Sequence, residues 1–263
     1  MNNTLQFATL FLAELGLGSA MVLPLIPVRV TGKSFVRFYY GFILMALALF
    51  LFCMARLEQF HYNYALALAL GAWIWLLSFT KIQTRLEEIL LRIFAAFSFC
   101  VLILYAQKFA FSHAETYHVA IQLCFFVVAT VFLVFHLMNM IFGHWYLINR
   151  QLPIAHLVKS TKILTLVSYV RILAVTMATL YASQKMEASA FERLLDIRGH
   201  GIFFWARVLA GLGIPLLVSH LAHASAKIGS NQSATGIMYA GTIFVLMGEL
   251  LGLYLFFVTG YFF

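Results

Sequence analysis

Glu14, Arg171, Arg207 and Glu249 stand inside long apolar runs. Charge in a bilayer core costs about 2.5–3.5 kcal/mol per residue on insertion scales, so such groups turn toward protein or water and pair. Two acids and two bases allow two kinds of chemistry. They can form buried ion pairs that fix helix packing. They can also relay a proton or an anion, or wall a ligand cavity. At a rise of about 1.5 Å per residue, all four fall near the middle of their segments or slightly to one side. They meet only if the first, sixth, seventh and eighth apolar segments are neighbours.

The nine histidines divide by level along the chain. His61, His113, His118 and His200 belong to one side; His144, His156, His220 and His223 belong to the other; His136 lies between. The fifth and seventh segments run in the same direction. His118 therefore matches His200 in depth, and His136 matches His220. Paired histidines are the ligand pattern of a b-type haem. The spacings within each segment, His118 to His136 and His200 to His220, correspond to about 27–30 Å of rise. Two haems so placed are too far apart for rapid electron transfer, which leaves a single haem or none. His220 and His223 share a helix face, and His144 makes a three-histidine metal site conceivable. No carboxylate stands beside them to complete a familiar one, and no metal is expected. The remaining role is a hydrogen bond to a ligand or to the protein.

Abundant aromatics point to a second kind of ligand. The chain holds 27 Phe, 12 Tyr and 10 Met. Such a lining suits a flat, apolar molecule such as a menaquinone or ubiquinone. Its head needs only one or two donors, His or Arg, near an interface. GxSxG, HExxH and a phosphate-binding glycine loop are all missing, and no internal repeat announces a transporter.

The elements that must position these residues are membrane helices. The chain is 63% hydrophobic and 10% charged, with mean hydropathy +0.95, whereas a soluble domain carries about 25% charged residues. The net charge of +8 does not indicate nucleic acid, because the basic residues punctuate apolar runs as loop anchors do. Eight runs are long enough to cross a bilayer of about 30 Å: 4–27, 37–55, 62–80, 88–110, 117–147, 160–184, 199–225 and 234–262. The expected fold is an all-α bundle of about eight transmembrane helices, with residues 1–263 forming one integral membrane domain. The first run has no basic residue before it and no convincing cleavage site, so it is expected to be retained. Cys53, Cys100 and Cys124 lie in apolar segments without CxxC spacing, which argues against disulfides and thiolate metal sites.

Orientation follows from the loops. One side carries Arg29, Lys33, Arg37, Lys81, Arg85, Arg92, Arg150, Lys159, Lys162 and Lys227. The other carries Arg56, Lys108, Lys185, Arg193 and Arg198. The positive-inside rule then places both termini outside, periplasmic in a bacterial inner membrane. The outer connection QKMEASAFERLLDIRGH has helical spacing and is suited to lie along the interface. The inner connection NRQLPIAHLVKSTK contains Pro153 and offers a docking surface for a soluble partner. Small residues mark close-packed seams: Gly16, Gly18, Ser19 and Ala20 in the first segment, Gly211 and Gly213 before Pro215 in the seventh, and Gly248 and Gly252 in the eighth.

Three stretches carry a family likeness. LQFATLFLAELGLGSAMVLPL resembles the first helix of the membrane-anchor subunits of polysulfide reductase and DMSO reductase. ARVLAGLGIPLLV is similar to their Arg-x-x-x-Gly-x-x-x-Pro helix, and LMGELLGLYLFF to their closing Gly-Glu-x-x-Gly helix. Where that family has Arg after the second glycine, this chain has Leu253. The resemblance implies a quinone-interacting subunit that exchanges electrons between membrane quinol and redox partner subunits docked on a membrane face. Any iron–sulfur clusters would then reside on the partner. The matched positions are Arg207, Gly211, Pro215, Gly248 and Glu249; Glu14 and Arg171 are added by buried charge alone. The histidine that contacts a quinone stays open among the clusters above.

Three other classes compete with this expectation. One is a b-type cytochrome using His118 with His200 or His136 with His220. Another is an ion- or proton-coupled transporter built on the four buried charges. The third is a structural subunit in which those charges only fasten helices.

Overall fold

The computed structural model describes residues 2–25, 28–56, 71, 85–111, 116–149, 151–199 and 201–263. Among them the chain is helical throughout, with no strand. Seven helices are long and apolar enough to cross a membrane. Within hydrocarbon a helix satisfies its backbone hydrogen bonds internally, which is why such runs fold this way. The expected span 62–80 lies outside the described residues, apart from Gly71.

The chain packs as two compact units, Met1–Phe109 and Ala110–Phe263. The first holds α1 (Asn2–Val22), a short 3-10 turn (Leu23–Leu25), α2 (Val28–Arg56) and most of α3 (Arg85–Phe111). Gly32 kinks α2 with φ 80° and ψ 169°, a backbone state that favours glycine. Gly16 lets α1 approach α2 closely: a Cβ there would stand 3.0 Å from Leu47 Cδ2. Tyr39 donates to the Ser19 carbonyl at 3.4 Å along the same seam. Phe50 and Tyr105 join α2 to α3 edge to face, with centroids 5.1 Å apart.

The second unit holds α4 (Thr116–Ile148), α5 (Ile154–Lys185), α6 (Ala188–Leu195), α7 (Gly201–Val208), a π-helical turn (Leu209–Gly213), α8 (Ile214–Lys227) and α9 (Asn231–Thr259). The run from α7 to α8 forms one span. Around the bundle α4 packs on α5, α5 on α8, α8 on α9 and α9 on α4. Polar links tie these seams. Ser160 donates to Asn139 Oδ1 at 2.7 Å between α5 and α4. Thr161 and His223 share a 3.1 Å hydrogen bond between α5 and α8.

Two connections differ in kind from a simple loop. The stretch NRQLPIAHLVKSTK is mostly helix, because α5 starts at Ile154 directly after Pro153. Tyr146 fixes that corner by donating to the Pro153 carbonyl at 2.8 Å. The opposite connection contains α6, which presents Leu194 inward and Glu192 and Arg193 outward. The chain ends differently from the expected span 234–262. At Gly260 (φ 79°) it leaves α9 and turns back, burying Phe262 and Phe263.

Candidate functional site

Three of the four charges singled out in the sequence meet in the second unit. Arg171 on α5 reaches across the bundle to Glu249 on α9 in a side-on fork. Its Nε donates to Oε1 at 3.1 Å and its Nη2 to Oε2 at 3.0 Å. Arg207, from the last turn of α7, donates through Nη2 to Oε1 at 2.9 Å. Arg171, Arg207 and Glu249 are 1%, 0% and 2% exposed. One carboxylate thus serves two guanidinium groups, an arrangement that separate acid–base pairs would not give. Glu14 is also buried, at 1% exposure, within the first unit.

The folded-back tail completes the cluster. The Phe263 main-chain oxygen accepts from Arg171 Nη2 at 2.8 Å and from Arg207 Nη2 at 3.3 Å. Gln122 Oε1 on α4 accepts from the Phe262 N–H at 2.9 Å. Phe262 stacks on Phe256, with centroids 3.7 Å apart and planes at 4°. Burial pushes the neighbouring Tyr261 phenol above its ordinary pKa. Only the GYFF ending signals this feature in the sequence: a glycine turn followed by aromatics.

Glycines make room for the cluster. A Cβ on Gly248 would stand 2.5 Å from the Gly211 Cα and 3.0 Å from Arg207 Nη1. One on Gly252 would stand 3.0 Å from Arg207 Nε. The small-residue seams therefore seat a guanidinium as well as a neighbouring helix.

The described histidines do not gather into one site. His136 is buried on α4 and its Nδ1 bonds the Phe132 carbonyl at 2.9 Å. His144 bonds Tyr239 at 3.1 Å, and His220 bonds Tyr169 at 3.0 Å. The three-histidine site conceivable for His144, His220 and His223 does not form, since each takes a different hydroxyl. No group of three or more His, Cys, Asp or Glu that could hold a metal occurs among the described residues. His200 lies outside the described residues, and only the backbone of His118 is described.

An apolar groove of about 500 Å³ runs between α5 and the span from α7 to the π turn. Ile172, Thr176 and Thr179 form one wall; Trp205, Leu209 and Leu212 form the other. Its polar atoms are already engaged. Thr176 and Thr179 bond the Ile172 and Val175 carbonyls at 2.9 and 2.8 Å. Trp205 Nε1 donates to the Leu195 carbonyl at 3.0 Å. The π turn adds residues to one helical turn and so widens the second wall, a feature that often marks functional sites.

Tyr169 and His220 lie outside the lining of this groove, toward the Lys227 end. Tyr169 lies one turn before Ile172 on α5, about 5 Å along the axis, and His220 two turns after Leu212, about 12 Å along. Tyr169 is 51% exposed. His220 Nδ1 meets the Leu216 carbonyl at 2.9 Å. A carbonyl only accepts, so Nδ1 carries the proton and Nε2 receives the Tyr169 hydroxyl. The pair is a phenol hydrogen-bonded to an imidazole, beyond the end of an apolar groove. Tyr169 was not among the residues marked by sequence; its signal is its alignment with His220 across two antiparallel helices.

Compared with protein-family models and with curated proteins, the chain matches none.

Proposed function

We propose that this protein is a quinone-interacting integral membrane subunit that passes electrons between quinol and a redox partner. The Tyr169–His220 pair, on the same two membrane spans as the apolar groove, carries this reading. The groove suits an isoprenoid tail, and the pair suits a hydroquinone head. A quinol O–H donates to the Tyr169 oxygen while the Tyr169 O–H points to His220 Nε2. Loss of two electrons to a partner's redox centre releases two protons. His220 is placed to accept the first of them through Tyr169, and the second passes to water at the membrane surface. The resemblance to polysulfide and DMSO reductase anchors agrees with the same role, in a bacterial inner membrane with both termini periplasmic.

The Arg171–Glu249–Arg207 cluster is assigned to fastening, because each guanidinium is bonded to Glu249 and the groove runs along another face of α5. Purification in mild detergent, followed by lipid extraction and an absorption spectrum, tests the function. Near-stoichiometric quinone without a haem band is expected. Tyr169→Phe should lower the quinone content about tenfold, the worth of one hydrogen bond. A haem spectrum, or wild-type protein free of quinone, overturns the reading.

A further inference from the structure

The Lys227 end of the second unit is basic, and its described residues place no counter-charge there. The acidic residues among its described positions are Glu187, Glu192, Asp196 and Glu249. The first three lie in the α5–α7 connection at the opposite end, and Glu249 is committed inside the bundle. At the basic end the hydrogen bond from Thr161 to His223 brings α5 and α8 together. Lys162 follows Thr161 directly, and Lys227 follows His223 by one turn. Lys162, Lys227 and His220 all lie within electrostatic reach of His223. Lys162 and Lys227 are exposed. Like charges gathered without a carboxylate repel one another, and an anion between them relieves that repulsion.

The depth of this cluster selects the anion. Lys162 precedes Tyr169 by two turns on one face of α5, and Lys227 follows His220 by two turns on α8. Each lies about 10 Å beyond the hydroxyl–imidazole pair. Lys227 ends one membrane-spanning helix, and Lys162 lies about two turns in from the start of another, Ile154–Lys185, whose 32 residues exceed what a bilayer core requires, so both fall at the level of phosphate headgroups. Basic pockets between helices at this level hold anionic lipid heads.

We propose that Lys162, His223 and Lys227 form a binding site for the phosphate of an anionic phospholipid, seated on the seam between α5 and α8. The site is independent of the quinone reading, since it lies nearer the membrane surface than Tyr169 and His220. A phosphate oxygen accepts from each ammonium, and the His223 edge closes the site on the α8 side.

The test uses the full chain, delipidated in a neutral detergent and titrated with mixed micelles of phosphatidylglycerol or phosphatidylcholine. Native mass spectrometry counts bound lipid, and thermal unfolding confirms that each variant is folded. Saturable, salt-sensitive binding of phosphatidylglycerol over phosphatidylcholine is expected. Lys162→Gln with Lys227→Gln should weaken it about 30-fold, the worth of two surface cations. The matched pair Lys185→Gln with Arg193→Gln, at the opposite end, should leave it unchanged. Equal binding of both lipids, or equal loss in both double variants, overturns the site. Quinone content measured on the same preparations reports separately on the function proposed above.

Discussion

The guanidinium of Arg207 lies over the bare Cα of Gly252, so closely that a Cβ there would stand 3.0 Å from Nε. One turn earlier, Gly248 faces both the Gly211 backbone and Arg207 Nη1. Gly248→Ala must therefore move the Gly211 backbone outright, whereas Gly252→Ala needs smaller shifts of the Arg207 guanidinium and of the Phe263 main-chain oxygen, 3.2 Å from such a Cβ. Overpacking of this kind costs about 1–3 kcal/mol. We expect Gly248→Ala to lower the unfolding temperature more than Gly252→Ala. Gly236→Ala, where a Cβ meets nothing within 4 Å, should not lower it. Thermal unfolding in detergent checks the order.

Glu249→Gln leaves two buried guanidinium groups without their anion. Breaking one partner of a buried ion pair costs about 3–5 kcal/mol, so the variant should unfold at lower temperature or fail to accumulate. Replacing all three charges together, as Arg171→Met, Arg207→Met and Glu249→Leu, should recover stability relative to Glu249→Gln. Retained quinone content in the triple variant supports fastening; its loss with stability intact would assign the cluster to the chemistry instead.

The folded-back tail should matter as much as a core helix turn. Deleting residues 261–263 removes the Phe263 oxygen from both arginines and the Phe262 ring from Phe256. Gln122→Leu leaves the buried Phe262 N–H unsatisfied, at about 1–3 kcal/mol. Both variants should unfold earlier than wild type. An unchanged unfolding temperature in both would contradict the role given to the tail.

Much of this bundle was legible from hydropathy, because a bilayer-length apolar run has few other ways to satisfy its backbone. Six described spans besides that of α5 begin and end within a few residues of the expected runs. The start of α5 was not legible, because His156 and Lys159 interrupt the apolar pattern while the helix begins earlier, after Pro153. Arg171, Arg207 and Glu249 stood out because buried charge is costly. Their two-to-one pairing was hidden, since it depends on a chain reversal at Gly260 that brings Phe263 home. Tyr169 was hidden for another reason: an exposed tyrosine in a membrane helix is ordinary until a second helix sets His220 against it.

Tyr169 and His220 are both exposed, so their loss should leave the bundle intact. Tyr169→Phe and His220→Leu should unfold within about 0.5 kcal/mol of wild type, as surface changes do. Both should lose quinone. A large stability loss in either would mean that the pair belongs to packing.

Photolabelling with an azido-quinone followed by peptide mapping tests the central claim most directly. The account predicts label within residues 172–180 and 205–213, competed by unlabelled quinone and diminished in Tyr169→Phe. Label confined to other segments, or label in the groove that Tyr169→Phe leaves unchanged, would contradict it.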